Sequence, residues 1–474
     1  MYFELKSGRF MDVGRGRNKL AFSCYDGDLS WAQLQKVTDT LCGLLEKNNV
    51  RDGMPVIVEG DRGKKFLSAV TACYRMQIPF VSLDSTFPKE RKNQIGQLSG
   101  ARFKIECRRG FDGYFNIRKT KSGGGNSIPG VAYIIFTSGS TGLPKGVVVS
   151  KENVLAFREK FLASLTYGSS SVFINLAAFS FDISLFDFFG CLQTGGSAVF
   201  AGGRGNFRMD EFLSRVQIHK GNIWNSTPSF VLSLLQHPQF CNQGLPQIKR
   251  FILSGEMLHT GLVEQLWERF PGAEIVNAYG PTETTIFAST CVVSKKMISD
   301  FPISVPVARR EKDCDLIIQK NQIRVEGNQV SRGYIKDGKV VREGGFSRAG
   351  RNLFRTGDRC ILRKGFVVFK GRGDRQIKFN GYRIELDEIV HHLLGIPGIL
   401  QAECLPVIVK GRVKRLVAFL LVKSINSAPK QDDMRKKLLE VLPLWMIPSE
   451  FIFLDTFPMT DSGKVSRREL LAIL

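Results

Sequence analysis

The sequence predicts an α/β fold with two domains. A large N-terminal domain (1–373) of mostly parallel sheets flanked by helices carries a small β-subdomain, and a small C-terminal α+β domain (374–474) follows. Three observations predict this. Strand-like runs of β-branched or aromatic residues alternate with helical periodicity through roughly the first 300 residues, the pattern of βαβ units. After about Ile303 the texture changes to short strands with glycine turns. Gly371-Arg-Gly-Asp374 then breaks the chain and leaves a compact tail of about 100 residues, enough for a separate domain.

The strands expected in the first part are Pro55–Glu59, Phe80–Leu83, Tyr133–Thr137, Ser171–Asn175, Ala198–Ala201, Phe251–Ser254 and Glu274–Ala278. Between them, Trp31–Glu46 and Leu262–Arg269 space their apolar residues as amphipathic helices do. Lys121–Gly125 reads as a loop leading into the strand Val131–Phe136. Gln322–Tyr334 and Cys360–Phe369 carry the later, shorter strands, and Leu386–Leu394 is helix-like. The 474 residues exceed the usual size of one domain.

Composition removes several classes of function. Hydrophobic content of 43% is that of a globular protein, not a disordered one. No run of about 18 uncharged apolar residues is present, so no membrane span is expected. Met1-Tyr-Phe-Glu-Leu-Lys6 lacks the basic and apolar stretches of a secretory leader, so a cytoplasmic location is expected. The 10 cysteines stand singly with no CxxC pair, which argues against a zinc site or a disulfide framework. His391-His392 has the look of a catalytic pair, but it lies in a helical run and no Asp-Gly follows at the spacing condensing enzymes use; a structural or surface role is expected. The net charge of +23 suits an anionic partner. Yet the basic residues form no run of five and no nucleic-acid-binding signature, so nucleic acid is not expected.

One segment carries specific chemistry. Tyr133-Ile-Ile-Phe136 is an apolar strand, and Thr137-Ser-Gly-Ser-Thr-Gly-Leu-Pro-Lys145-Gly-Val147 follows it. The hydroxyls of Thr137, Ser138, Ser140 and Thr141 and the loop amides offer donors to an anion. Gly139, Gly142 and Gly146 let backbone approach phosphate oxygens without a Cβ between, and Lys145 adds a point charge. Pro144 before the lysine and Gly146 after it exclude a Walker A loop.

This segment resembles the signature of the adenylate-forming superfamily. Further stretches resemble the same family, in the same order: Asn277-Ala-Tyr-Gly-Pro-Thr-Glu-Thr284, Arg355-Thr-Gly-Asp358, Gly371-Arg-Gly-Asp-Arg-Gln376 with Asn380-Gly-Tyr-Arg-Ile-Glu385, Leu442-Pro-Leu-Trp-Met-Ile-Pro448 and Pro458-Met-Thr-Asp-Ser-Gly-Lys464. The resemblance implies an ATP site built from Thr137–Gly142, Lys145, Asn277, Ala278, Tyr279, Gly280, Thr282, Asp358, Arg372 and Lys464. It implies that Tyr279 stacks on adenine, Thr282 bonds the α-phosphate and Glu283 holds Mg²⁺ as a hard oxygen ligand. Asp358 would accept the ribose hydroxyls, Arg372 would also reach the ribose, and Lys464 would stabilise charge developing at the α-phosphate. Lys464, Thr282 and Glu283 are thus the expected catalytic set. Asp374 would be the hinge about which a mobile C-terminal domain turns between half-reactions.

Asp182 stands in the apolar run Phe179-Ser-Phe-Asp-Ile-Ser-Leu-Phe-Asp-Phe-Phe189, where a carboxylate is costly without a partner. One reading is a helix N-cap. The other is an amino-acid ammonium binder, since the stretch resembles the Phe-Asp-x-Ser pattern of amino-acid adenylation domains. The same resemblance lines a side-chain pocket with Ile183, Phe186, Asn225, Ile252, Ser254, Ala278, Ile286 and Phe287, which favours a small or medium neutral side chain. Trp224-Asn-Ser-Thr-Pro-Ser-Phe230, Phe251-Ile-Leu-Ser-Gly-Glu256 and Glu385–Leu394 are most similar to D-alanine–D-alanyl carrier protein ligases. Those ligases have cysteine, methionine and threonine where this chain has Ser254, Phe186 and Ala278, which leaves D-alanine open within the amino-acid class.

The expected reaction forms aminoacyl-AMP and then a thioester on the phosphopantetheine of a carrier protein. The sequence stops soon after Arg467-Arg-Glu-Leu470, so an acceptor in trans is expected. Such carriers are generally acidic, and +23 would steer the encounter; a loading rate indifferent to ionic strength would refute steering. The rival classes are an acyl-CoA or aryl-acid ligase of the same superfamily, and a surface-binding protein that kept a dead enzyme fold.

Overall fold

The computed structural model describes residues 2–5, 8–12, 18–107, 115–120, 126–139, 142–162, 167–203, 207–310, 315–347, 352–409, 411–422, 428–459 and 465–474. The expected loop Lys121–Gly125, Ser140, Thr141 and Lys464 lie outside these residues. The chain divides into two compact units. One holds Met1–Ser85, Gly96–Phe136 and Gly146–Gly373; the other holds Thr86–Ile95, Thr137–Lys145 and Asp374–Leu474.

The first unit is built on two eight-stranded sheets. In one, Phe103–Cys107, Val56–Gly60, Phe80–Leu83 and Val131–Thr137 lie side by side and parallel, with antiparallel strands at the margins. In the other, Leu20–Cys24, Ser197–Phe200, Val172–Asn175, Ile223–Ser226, Arg250–Ser254 and Glu274–Tyr279 run parallel, and antiparallel strands close both edges. Helices between consecutive strands bury the sheet faces, as βαβ connection requires. Trp31–Lys47 begins with a reciprocal capping box between Ser30 and Gln33 and buries Trp31, Leu34, Leu41 and Leu45. Ile183–Thr194 is mostly apolar, is buried through most of its length and ends on Gly195 at φ 61°, a left-handed stop that suits glycine. After Ile303 the chain forms the anticipated short strands. Ala308–Arg309, Phe366–Arg372, Leu353–Arg363, Gln322–Glu326 and Leu316–Gln319 make an antiparallel five-stranded sheet.

In the second unit, the hairpin Gln376–Phe379/Tyr382–Glu385 leads into helix Leu386–Leu394. A three-stranded sheet of Ile399–Val409, Arg412–Val422 and Glu450–Leu454 carries the helices Gln431–Val441 and Arg467–Ala472. Its core gathers Ile389, Leu393, Cys404, Ala418, Leu420, Met434 and Leu438. Among the described residues nine cysteines are free thiols, and none is paired. Burial pushes the thiols of Cys42 and Cys404 up to about 11 and about 12, which disfavours the thiolate in both. No helix among the described residues is long and apolar enough to cross a membrane.

Candidate active site

Within the first unit, neighbouring parallel strands end in residues that the sequence singled out. Asn225 pairs with Ile252 across strands Ile223–Ser226 and Arg250–Ser254, and Ser254 pairs with Ala278 on Glu274–Tyr279. The carboxyl ends of parallel strands are where α/β sheets bind ligands. Asn277, in contrast, spends its amide on the carbonyls of Val305 (3.3 Å) and Pro306 (3.0 Å), which fixes the chain after the strand.

Beyond Tyr279 the chain turns sharply. A Cβ on Gly280 would lie 2.7 Å from Ala288 N and 2.8 Å from Phe287 Cα, so only glycine fits. Thr282–Thr284 is one turn of 3₁₀ helix, and Thr285 and Ile286 follow at φ 58° and 68°. For a β-branched residue that conformation costs on the order of 1–3 kcal/mol. Thr285 Oγ1 holds the turn by donating to Gln329 O at 2.7 Å. The strained turn delivers the Ile286 N–H to Asp182 Oδ2 at 3.2 Å.

Asp182 sits at the N-cap position of helix Ile183–Thr194, yet its side chain makes no capping bond to that helix. It is partly exposed, as is Ile183. The capping reading therefore lacks its defining hydrogen bond, and the carboxylate is aimed at the strained turn instead. The other pocket residues are closed over. Phe186, Ile252, Asn225, Ile286, Phe287, Ala278 and Ser254 are all buried. The rings of Phe186 and Phe287 lie 5.4 Å apart, and Phe157, Phe161, Tyr167 and Phe173 surround them at centroid distances of 6.0–6.4 Å. Each such aromatic pair adds about 0.5–1.5 kcal/mol beyond area burial. The cluster forms a continuous aromatic wall around Phe186 and Phe287.

Asp358 lies on Leu353–Arg363 opposite Arg372 on the adjacent strand. Arg372 donates to Asp358 Oδ1 at 2.6 Å and to Thr356 O at 2.9 Å; Tyr279 Oη donates to Asp358 Oδ2. Burial, and then the Asp358 charge, raise the Tyr279 phenol well above its ordinary range. The Arg372 and Asp358 side chains are only 11% and 6% exposed, so Asp358→Ala strands a buried guanidinium. A loss of about 3–5 kcal/mol in unfolding free energy is expected on chemical denaturation, and an unshifted midpoint would contradict the pairing. Glu283 is buried, and Tyr334 Oη donates to its Oε1 at 2.8 Å.

The segment Thr137–Lys145 belongs to the second unit. Gly142 N–H donates to Gly139 O at 3.2 Å, and Gly142 adopts φ 81°. A Cβ on Gly139 would collide with Leu143 O, and one on Gly142 with the His391 ring. The loop amide of Gly139 donates to Glu388 Oε2 at 3.0 Å, and Arg91 pairs with the same carboxylate. Burial raises the Glu388 carboxyl, and Arg91 and the Gly139 amide oppose that shift. Ser138 Oγ donates to Arg383 O at 3.0 Å and accepts from Glu385 N at 3.1 Å. The amide expected to grip an anion thus holds one, a carboxylate of its own unit. Gly146 has another reason to be glycine: a Cβ there would strike Phe136 and Ile335.

Sequence reasoning missed Asn175, Asp187, Tyr334, Arg91 and Glu388. Asp187 offered a signal, a second acid in the same apolar run as Asp182. Glu256, noted only as part of a resemblance, proves to hold the start of helix Pro228–Leu234 through Ser229 N (2.9 Å) and Ser229 Oγ (2.8 Å).

Comparison with known proteins agrees with this geometry. The family model described as AMP-binding enzyme matches residues 126–344. The D-alanine--D-alanyl carrier protein ligase of Bacillus velezensis is 30% identical, over 95% of this chain and 95% of that protein. A solved structure of the o-succinylbenzoate CoA synthetase of Bacillus subtilis superposes with a TM-score of 0.81 at 19% identity, covering 97% of this chain and 96% of its own. The Vibrio cholerae adenylation domain AlmE, in complex with glycyl-adenosine-5'-phosphate, gives 0.81 at 18% identity, over 98% and 96%.

Proposed function

We propose, from the premise that the chain belongs to the adenylate-forming superfamily of AMP-binding enzymes and is an AMP-forming ligase, that it activates a small amino acid and transfers it to a carrier-protein thiol. The observation that carries the amino-acid reading is Asp182. A carboxylate at the head of an apolar helix, making no capping bond to that helix, suits an α-ammonium, whereas a fatty or aryl acid carries no cation for it to meet. The Phe186–Phe287 wall narrows the sequence-based range from small or medium side chains to glycine- or alanine-sized ones. The relatives' names point the same way, toward D-alanine.

In the first half-reaction a carboxylate oxygen of the amino acid attacks the α-phosphorus of ATP, and pyrophosphate leaves with the P–O bonding pair. In the second, a phosphopantetheine sulfur attacks the carbonyl carbon and AMP departs. Asp358 and Arg372 would hold the ribose, Tyr279 the adenine and Thr282 the α-phosphate, and Lys464 would meet the charge that builds there as the carboxylate attacks. Thr137–Lys145 would grip the polyphosphate once the Gly139 amide is released from Glu388, and Asp374 would serve as the hinge. Among the described residues no group of three or more His, Cys, Asp or Glu side chains could hold a metal by itself. Glu283, a buried carboxylate held by Tyr334, fits Mg²⁺, which takes one or two carboxylates and fills the rest of its shell with phosphate oxygens and water. When bound, that ion would neutralise phosphate charge.

The carrier is expected to be acidic. Arg324 and Arg355 stand directly opposite one another on the five-stranded sheet, a like-charge pairing with a stability cost that an anionic partner would offset. Amino-acid-dependent exchange of labelled pyrophosphate into ATP tests the proposal. Glycine and both enantiomers of alanine are expected to include the best substrate, with leucine and phenylalanine inactive. Exchange supported by a fatty or aryl acid, and by no amino acid, would overturn it.

A further inference from the structure

Beneath the first turn of helix Ile183–Thr194 lies a polar group that the mechanism does not use. Asn175 and Asn225 end adjacent parallel strands and are register partners. Asn225 Nδ2 donates to Ile183 O and to Asp187 Oδ2, both at 2.9 Å. Asn175 Nδ2 donates to Ser184 O at 3.2 Å and to Asp187 Oδ2 at 2.9 Å. Two amides side by side thus spend all four N–H bonds on one turn of one helix. None of the three side chains is more than 1% exposed.

The oxygens tell the rest. Asp187 Oδ1, Asn175 Oδ1 and Asn225 Oδ1 are buried without a hydrogen-bond donor among the described residues. An ionised Asp187 only accepts, so it would add a buried charge to three unsatisfied acceptors. A neutral carboxyl makes Oδ1 a donor and removes the charge. Burial pushes the Asp187 carboxyl well above the usual range; the bonds from Asn225, Asn175 and its own backbone amide oppose this without reversing it.

We infer that Asp187, with Asn175 and Asn225, is a neutral clamp that positions the first turn of this helix and with it the Asp182 carboxylate. The inference rests on the ammonium-binding reading of Asp182. Asp182 directly precedes the clamped turn, so displacing the turn moves its Oδ2 away from Ile286 N–H. Misplacement by about 1 Å can cost about 100-fold in a positioned reaction.

Pyrophosphate exchange with the full chain, alongside thermal melts, separates the outcomes. Asp187→Asn keeps shape, neutrality and a donor, and its KM for the amino acid should stay within about threefold of the parent. Asp187→Ala should raise that KM by about 10- to 100-fold and leave the KM for ATP unchanged. Asn175→Ala removes one strut and gives a second route to the same split if Asp187→Ala does not fold. An unchanged amino-acid KM in the alanine variants, beside a raised one in Asp182→Asn, overturns the clamp and spares the reading of Asp182. Equal damage in Asp187→Asn and Asp187→Ala, or KM rising equally for both substrates, also overturns it. An Asp182→Asn enzyme with unaltered amino-acid KM overturns the reading of Asp182 itself, and the clamp's role falls with it.

Discussion

Asp182→Asn is expected to reduce amino-acid activation by about 10²- to 10³-fold, because the bound amino acid would close over the partly exposed carboxylate and a covered charge pair that loses one partner costs roughly 3–4 kcal/mol. Asparagine preserves the shape of the side chain and can still meet the Ile286 turn, so the fold should survive. What it removes is the negative charge that answers the ammonium. The loss should therefore appear as a higher KM for the amino acid, with the KM for ATP within a few-fold of the parent. Exchange kinetics with each substrate varied in turn check this. Equal turnover by the variant would mean that the substrate carries no ammonium at this position.

The second large effect is expected at Lys464. On either side of it in the sequence, Met459 and Val465 make an antiparallel bridge, and Ser466 N–H donates to Pro458 O at 2.7 Å. Lys464 directly precedes Val465 in the sequence and lies outside the described residues. A cation that meets charge only as the carboxylate attacks phosphorus acts on the transition state, so Lys464→Ala should lower the exchange rate by about 10²- to 10³-fold. ATP binding, followed by equilibrium titration, should change little. Arginine should not rescue the rate, because its planar fork presents charge differently from an ammonium. An alanine variant with parental exchange would remove Lys464 from the chemistry.

Much of the architecture was legible because parallel strands buried on both faces are written as short apolar runs, and those runs are hard to mistake. Val56–Gly60, Phe80–Leu83 and Arg250–Ser254 lie within a residue or so of where the pattern put them. Two residues named from local motifs do come together, which neither motif alone could show. Asp358 and Arg372 come from separate motifs, and strand pairing brings them together.

Less legible were partners joined across long sequence gaps. Nothing in the sequence announces that Tyr334 donates to Glu283, or that Glu388 takes the Gly139 amide 249 residues away. Periodicity gives the face a residue occupies but not the atom it meets. The pocket shows the same limit. Asn225 read as a hydrogen-bonding wall residue, yet both of its N–H bonds go to Ile183 and Asp187, a fact that depends on rotamer and strand register. The aromatic wall was half legible: Phe186 and Phe287 were named, but the closure contributed by Phe157, Phe161, Tyr167 and Phe173 emerges only in three dimensions. Positive φ at Thr285 and Ile286 was invisible, because β-branched residues give no local hint of a left-handed turn.

The central claim is that the acid joined to AMP is a small amino acid, and the product of the first half-reaction tests it most directly. The protein is incubated with Mg·ATP and an equimolar mixture of glycine, D- and L-alanine, leucine, phenylalanine, an aryl acid and a medium-chain fatty acid. The adenylates are then identified by mass. The account predicts glycyl- or alanyl-AMP as the dominant adenylate, lost in Asp182→Asn. An aryl- or fatty-acyl-AMP as the dominant product, undiminished in that variant, would contradict it.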